Sequence, residues 1–176
     1  MNVLIRKENL KDFKAVFNLI KEVFKTENKS DHKEQFLVER LRNSSTFIPE
    51  LSLVAEIDGT IVGHILLTKL KTARNKQEFD SLALAPVSVL PKFQGKRIGG
   101  QLIKQAHIVA KELGYHSVVL LGHEQYYPKF GYQQASLFGI ELPFDAPKEN
   151  CMVIELTKDG LKGISGKVTY PKEFYE

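Results

Sequence analysis

Tryptophan is missing altogether, cysteine occurs once, and no apolar run approaches the roughly 18 residues that a membrane-crossing helix needs. A single Cys151 excludes an intramolecular disulfide framework and favours a reducing compartment, so a cytoplasmic setting is expected. The stretch Met1 to Arg6 leads straight into structure and does not read as a signal peptide. Zinc-ligand spacing, an EF-hand loop and a Ser-His-Asp motif are all missing, and no metal is expected. Neither G-x-x-x-x-G-K-[ST] nor G-x-G-x-x-G occurs. Charge of one sign is not in large excess: 25 Lys and Arg stand against 21 Asp and Glu, for a net charge of +4. That balance suits an anionic cofactor, and no basic stripe interleaved with aromatics points to nucleic acid.

What is present fits an ordinary globular chain. Of its 176 residues, 43% are hydrophobic and 26% charged. The length predicts one domain, residues 1–176, burying about 70% of the surface its unfolded chain exposes. Val3 to Ile5 reads as a short strand. Asn9 with Asp12 reads as a helix start, followed by a stripe of Phe13, Val16, Phe17, Ile20 and Phe24. Asp31 with Glu34 resembles a second helix start, for a short helix carrying Phe36, Leu37 and Leu41. Asn43 to Pro49 is expected as loop. Leu51 to Ile57 and Ile61 to Leu70 form a hairpin across Asp58-Gly59, a pair favoured in tight turns. His64, alone in the second strand, reads first as a packed strand residue. Lys71 to Gln77 is expected as a solvated loop.

The chain is organised around Val89 to Ile103, VLPKFQGKRIGGQLI. The extended run Leu82 to Val89 enters it, and a helix leaves it with Ile98, Leu102, Ala106, Val109 and Leu113 on one stripe and Gly114 as terminator. A strand turning through glycines into a helix N-terminus gathers backbone N–H groups at one spot, and the helix dipole adds positive potential. Such a junction seats phosphate or pyrophosphate. His116 to Leu121 follows as a strand, completing a β-helix-β unit with parallel pairing. Pro86 conflicts with a regular central strand, because proline cannot donate to a ladder; a bulge or an open edge is required.

The loop Gln94-Gly95-Lys96-Arg97-Ile98-Gly99-Gly100 resembles the Gln/Arg-x-x-Gly-x-Gly/Ala motif of the GNAT superfamily of N-acetyltransferases. The family's middle glycine is Arg97 here. A residue in the first helical turn takes ordinary helical dihedrals, which would admit arginine. The resemblance implies that this loop cradles the pyrophosphate of acetyl-CoA. It also implies that the strand backbone at Val87, Ser88 and Val89 meets the pantetheine arm in the gap of a splayed strand and stabilises the thioester oxyanion. Tyr127, Gly131 and Tyr132 fall on the family's Tyr-x-x-x-Gly-Phe motif, which implies that Tyr127 protonates the departing thiolate. Pro128 restrains Tyr127 and leaves Tyr126 as the alternative acid. As a plain reading, Tyr126, Tyr127, Phe130 and Tyr132 make an aromatic packing cluster.

The expected fold is thus a single α/β domain (α+β by strict usage), a mixed twisted sheet of about six or seven strands with helices on both faces. The implied activity is transfer of acetyl from acetyl-CoA to a small-molecule or peptide primary amine, by direct attack in a ternary complex. The strand lacks a carboxylate between Leu82 and Val89. The general base is therefore open among Glu78, Asp80, a histidine and a water chain, and a non-catalytic CoA-binding or sensing domain is the alternative. Cys151 reads as a small strand residue. The aromatics Tyr170, Phe174 and Tyr175 dock the final segment on the body or serve a homodimer contact. No nucleic-acid or membrane partner is expected.

Overall fold

The computed structural model describes all of residues 1–176. Nine strands share one mixed sheet, along which the order β1-β2-β3-β4-β5-β8-β6 runs. They are β1 (Leu4–Lys7), β2 (Phe47–Ile57), β3 (Thr60–Arg74), β4 (Gln77–Val89), β5 (Ser117–Leu121), β6 (Gln133–Gln134), β7 (Ile140–Glu141), β8 (Cys151–Glu155) and β9 (Gly166–Thr169). Three helices pack on it: α1 (Phe13–Phe24), α2 (Glu34–Arg42) and α3 (Ile98–Glu112). The expected α/β architecture is what forms, with β6, β7 and β9 as short additions at the margins.

The two faces of the sheet are read directly from strand alternation. Leu53, Ala55, Ile65 and Leu67 face α3, whose Ile98, Leu102, Ile103 and Ala106 are fully buried against them. Val54 and Leu66 face the other way, onto Val16, Leu19 and Ile20 of α1 and Val38 and Leu41 of α2. A third cluster, with Leu70, Val119, Val153 and Val168, sits under the segment from β6 to β9. The α1 face therefore includes Leu19, while Phe13 and Phe17 are only half-buried. On α3, Ile103 and Ala110 join the core, whereas Leu113, the C-cap residue, turns outward. The terminator is as expected: Gly114 is left-handed, and Gly114 and Tyr115 donate N–H bonds to Lys111 and Ala110, a Schellman closure.

Local chemistry fixes the remaining ends. Asn9 and Asp12 cap each other's backbone at the turn leading into α1. The second cap differs from expectation. His32 is left-handed, Asp31 bonds only the Lys33 N–H, and α2 starts two residues later than expected, at Glu34, with no side-chain cap. Asp58 and Gly59 both have positive φ, as a tight hairpin turn requires. Two stretches expected as loop are strand. Phe47 to Pro49 belongs to β2, and Lys71 to Gln77 is the far end of a long β3–β4 hairpin turning at Asn75-Lys76, with Arg74 opposite Gln77. The polar run conceals a ladder because one edge of Lys71 to Ala73 is covered by β9, which buries Thr72 and leaves the lysines outside.

The last segment docks on the body, as one reading of its aromatics anticipates. Tyr170 is buried against Phe144 and Phe174, with ring centroids 4.8 and 4.9 Å away.

Two buried histidines make stability depend on pH. Burial and the Arg42 cation push His64 down to about 3, and burial alone pushes His107 down to about 4. Each is neutral when folded, whereas an unfolded histidine takes up a proton near pH 6.5. Stability is therefore full above about pH 6.5 and falls as the pH drops toward the folded values. Between pH 7.5 and pH 5 each histidine withdraws roughly 2 kcal/mol. The melting temperature should fall by on the order of 10 °C. A flat melting profile over that range would show that these imidazoles titrate freely in the folded state.

Candidate active site

β4 is the strand that opens the sheet. Against β3 its register slips by one residue: Leu67 faces Leu84, but Ile65 faces Val87, so Ala85 and Pro86 share the space of one partner. This is the bulge that Pro86 demands, since its nitrogen cannot donate to a ladder. Against β5 the pairing is parallel and brief, with Leu82 opposite Val118 and Ala83 opposite Val119. Beyond Ala83 the two strands separate. The backbone of Leu84 to Val89 thus keeps β3 on one side and has no strand on the other. Val87 and Val89 lean toward the α3 core, while Ser88 is buried on the opposite face.

At the end of this slot stands the loop. Pro91 to Phe93 forms one 3-10 turn, and Gln94 folds back so that its side-chain amide donates to the Val89 carbonyl at 3.0 Å. Gly95 has φ 74° and Arg97 has φ 64°, while Lys96 between them does not enter the left-handed region. This alternation turns successive N–H groups to one side, the geometry of an anion-binding nest. Arg97 is the N-cap of α3 and is left-handed, so the expectation of ordinary helical dihedrals there is wrong. The helix begins one residue later, and Arg97 takes the permissive conformation that a glycine would adopt freely. The first α-helical bond is donated by Gln101 to Arg97, leaving the N–H groups of Ile98, Gly99 and Gly100 at the open helix end. Lys92 and Lys96 flank the Phe93 ring, with ammonium groups 5.1 and 5.2 Å from its centroid.

The aromatic cluster closes the slot from the β5 side. Tyr127 to Phe130 forms a short 3-10 turn ending at the left-handed Gly131. Tyr127 is 9% exposed and packs edge-on against Tyr126 and Tyr132, with centroids 5.1 and 5.7 Å away. Its ring lies over Gly122, where a Cβ would collide with it. Burial, together with Tyr126, raises the Tyr127 hydroxyl well above the usual phenol range, so it carries its proton at any working pH. Tyr126 is half-buried and reaches the other end of the slot: its hydroxyl lies 2.9 Å from where a Cβ on Gly99 would stand. Gly99 therefore has a second use besides helix geometry, since any side chain would displace Tyr126. Lys129 stacks over Tyr126 at 4.0 Å. Asn150 pins the loop from behind through the Gly122 carbonyl and the Glu124 carboxylate, both at 2.9 Å. Its own backbone N–H and the Asn150 amide lower the Glu124 carboxyl, and Lys29, in the connection between α1 and α2, adds a little to this.

The sequence-derived residues thus fall into two groups at one slot: Val87, Ser88 and Val89 along its open strand, and Gln94 to Gly100 at its end. Tyr127 and Tyr126 line the third side. Reasoning along the chain missed Lys129, because its stacking depends on a turn not visible in sequence. It also missed that Ser88 stands opposite His64 across the β3–β4 pair, which requires the strand register. No group of three or more His, Cys, Asp and Glu side chains converges as a metal site would require.

An open parallel strand beside a helix N-terminus is the layout of an acyl-CoA-dependent acetyltransferase, and the chain belongs to that class. The family model for the acetyltransferase (GNAT) domain matches residues 4–135. Among relatives, the chain is 38% identical over 122 residues to the uncharacterized N-acetyltransferase YjhQ of Escherichia coli K12, covering 67% of this chain and 66% of YjhQ. It is 27% identical to the uncharacterized N-acetyltransferase YhbS of the same organism over 98% of both chains. The crystal structure of Escherichia coli YhbS in complex with CoA superposes with a TM-score of 0.90 at 26% identity, covering 100% of this chain and 93% of that one. A GNAT family acetyltransferase from Brucella melitensis in complex with acetyl-CoA superposes with a TM-score of 0.80 at 29% identity, over 98% of both chains.

The conformation of Arg97 has a measurable cost. A left-handed non-glycine residue is disfavoured by about 1–2 kcal/mol, partly offset by the greater entropy of unfolded glycine. Arg97→Gly should therefore raise the melting temperature by about 2–4 °C. A lower melting temperature would mean that the Arg97 side chain holds the loop together.

Proposed function

We infer that residues 1–176 act as one domain that transfers an acetyl group from acetyl-CoA to a primary amine within a ternary complex. The observation that carries this reading is the parting of β4 from β5 after Ala83, on a strand that leads into a loop with left-handed Gly95 and Arg97 and the open N-terminus of α3. An extended arm with amide groups can pair along Leu84 to Val89 as an added strand would. Its diphosphate then meets the open N–H groups from Ile98 to Gly100, with Lys92, Lys96, Arg97 and Lys129 supplying positive charge nearby.

In this arrangement the thioester lies beside Val87 to Val89. A backbone N–H there donates to the carbonyl oxygen, more strongly as negative charge collects on it. The amine nitrogen attacks the carbonyl carbon, and the C–S bond breaks with its electron pair on sulfur. Tyr127 offers its O–H to that sulfur. Because burial makes the phenol a reluctant acid, the proton is shared with the thiolate and completed from solvent as the thiol leaves. Holding both reactants side by side supplies much of the remaining acceleration. The fold itself has no helix long and apolar enough to cross a membrane, and a cytoplasmic small-molecule or peptide amine is the acceptor that fits this reading.

The test starts with a thermal melt. Acetyl-CoA at ~100 times its dissociation constant adds about 2.7 kcal/mol, a rise of about 5–10 °C, with ATP and NADH as controls that leave the melt unchanged. An amine screen for released thiol follows. Tyr127→Phe should keep the acetyl-CoA shift and lose on the order of 100-fold in kcat. Full activity in Tyr127→Phe with loss in Tyr126→Phe would move the acid role to Tyr126. Binding without turnover on any amine would leave a CoA-binding domain.

A further inference from the structure

The open strand carries a second buried feature that the acetyl-transfer steps above do not use. His64 of β3 lies directly opposite Ser88 of β4, on the face away from α3. Both are buried, at 0% and 2% exposure. The Nδ1 atom of His64 and the Oγ atom of Ser88 have no hydrogen-bond partner, although buried polar atoms are nearly always paired. Ser88 sits between Val87 and Val89, on the open stretch of β4.

Behind His64 the network is complete. The Ser52 hydroxyl donates to Glu8 Oε2 at 2.6 Å and lies 3.1 Å from His64 Nε2. Since its single hydrogen goes to the carboxylate, Ser52 must accept from Nε2–H. This fixes the neutral imidazole with its proton on Nε2 and its lone pair on Nδ1, the buried ring atom left without a partner. Glu8 is held in turn by an ion pair with Arg42. The charged groups facing the imidazole are Glu8, from the segment after β1, and Arg42, from α2. Burial and Arg42 then keep the ring uncharged, which suits a group that passes a proton on and does not store one.

We propose that Ser88, His64, Ser52 and Glu8 form the proton relay that deprotonates the acceptor amine. This rests on the acetyltransferase reading and names the base which that reading leaves open. As the nitrogen bonds to the thioester carbon, its N–H bond breaks and the electron pair stays on nitrogen. The proton passes to Ser88 Oγ, whose own proton goes to His64 Nδ1. The Nε2 proton moves to Ser52 Oγ, and the Ser52 proton moves to Glu8. The imidazole ends neutral, with its proton on the other nitrogen, and Glu8 ends as the neutral acid. After product release the chain runs backward and returns the proton to water. Glu78 and Asp80, the carboxylates nearest in sequence, lie at the far end of the hairpin, where they pair with Lys71 in solvent.

Two measurements test the relay. Nitrogen-15 spectra of the histidine rings in the full chain should show His64 as the neutral Nε2–H tautomer from pH 6 to 8, assigned by its loss in His64→Gln. An Nδ1–H tautomer or an imidazolium would overturn the wiring. With an amine that the wild-type chain acetylates, His64→Gln and Ser52→Ala should lose on the order of 100-fold in kcat/KM at neutral pH. They should recover part of it as the pH rises toward the amine's own pKa, with the acetyl-CoA melting shift intact. Variants with a wild-type pH profile would overturn the relay alone. A wild-type chain that binds acetyl-CoA but acetylates no amine would instead remove the acetyltransferase reading and the relay with it.

Discussion

The structure depends on one extra residue in β4. Pairing on the β3 side continues through the bulge at Ala85-Pro86, so the strand stays anchored while its other edge swings free of β5. Without that slip, β4 and β5 would continue as an ordinary parallel pair and their backbone groups would satisfy each other. With it, a row of polar groups lies open in the middle of the sheet, which would be costly unless something of matching chemistry occupies it. The βαβ connection places the N-terminus of α3 at the mouth of the same gap. A strand irregularity and a helix end, each unremarkable alone, thereby become two parts of one site.

The two faces of β4 divide the chemistry. Val87 and Val89 anchor the strand in the large core under α3, which is well packed and apolar. Ser88 lies on the other face, which also carries His64, Ser52, Glu8 and Arg42, a polar chain through a face otherwise filled by α1 and α2. The alternation that sets a strand's burial pattern thus puts the apolar anchors and the polar side chains on opposite faces of β4. The β3–β4 register makes this division firm, since a slip of one residue would exchange the two faces.

Much of this was legible in sequence, for identifiable reasons. The Gln94 to Gly100 loop, the α3 terminator at Gly114 and the Asp58-Gly59 turn are short-range features, and local chemistry sets them. Pro86 narrowed the strand to a bulge or an open edge, because a missing donor has only a few structural outcomes. What failed depended on distant partners. The polar stretch from Lys71 to Gln77 became strand only because β9, almost a hundred residues later, pairs with it. Arg97 broke a rule that glycine usually satisfies, so its left-handed state could not be read from its side chain. The Ser88–His64 relation was invisible because it follows from register across a bulge. His64 then read as an ordinary strand residue.

The cluster that closes the slot has an optical consequence. The chain has 6 tyrosines and no tryptophan. Tyr126, Tyr127 and Tyr132 stack edge to face, and Tyr126 touches the first turn of α3. Tyrosine emission, which tryptophan normally drains by energy transfer, is therefore left intact, and two of its six sources border the slot. A molecule lying along the slot would change the surroundings of Tyr126 and Tyr127, so the tyrosine emission of the unlabelled chain is a built-in reporter of occupancy.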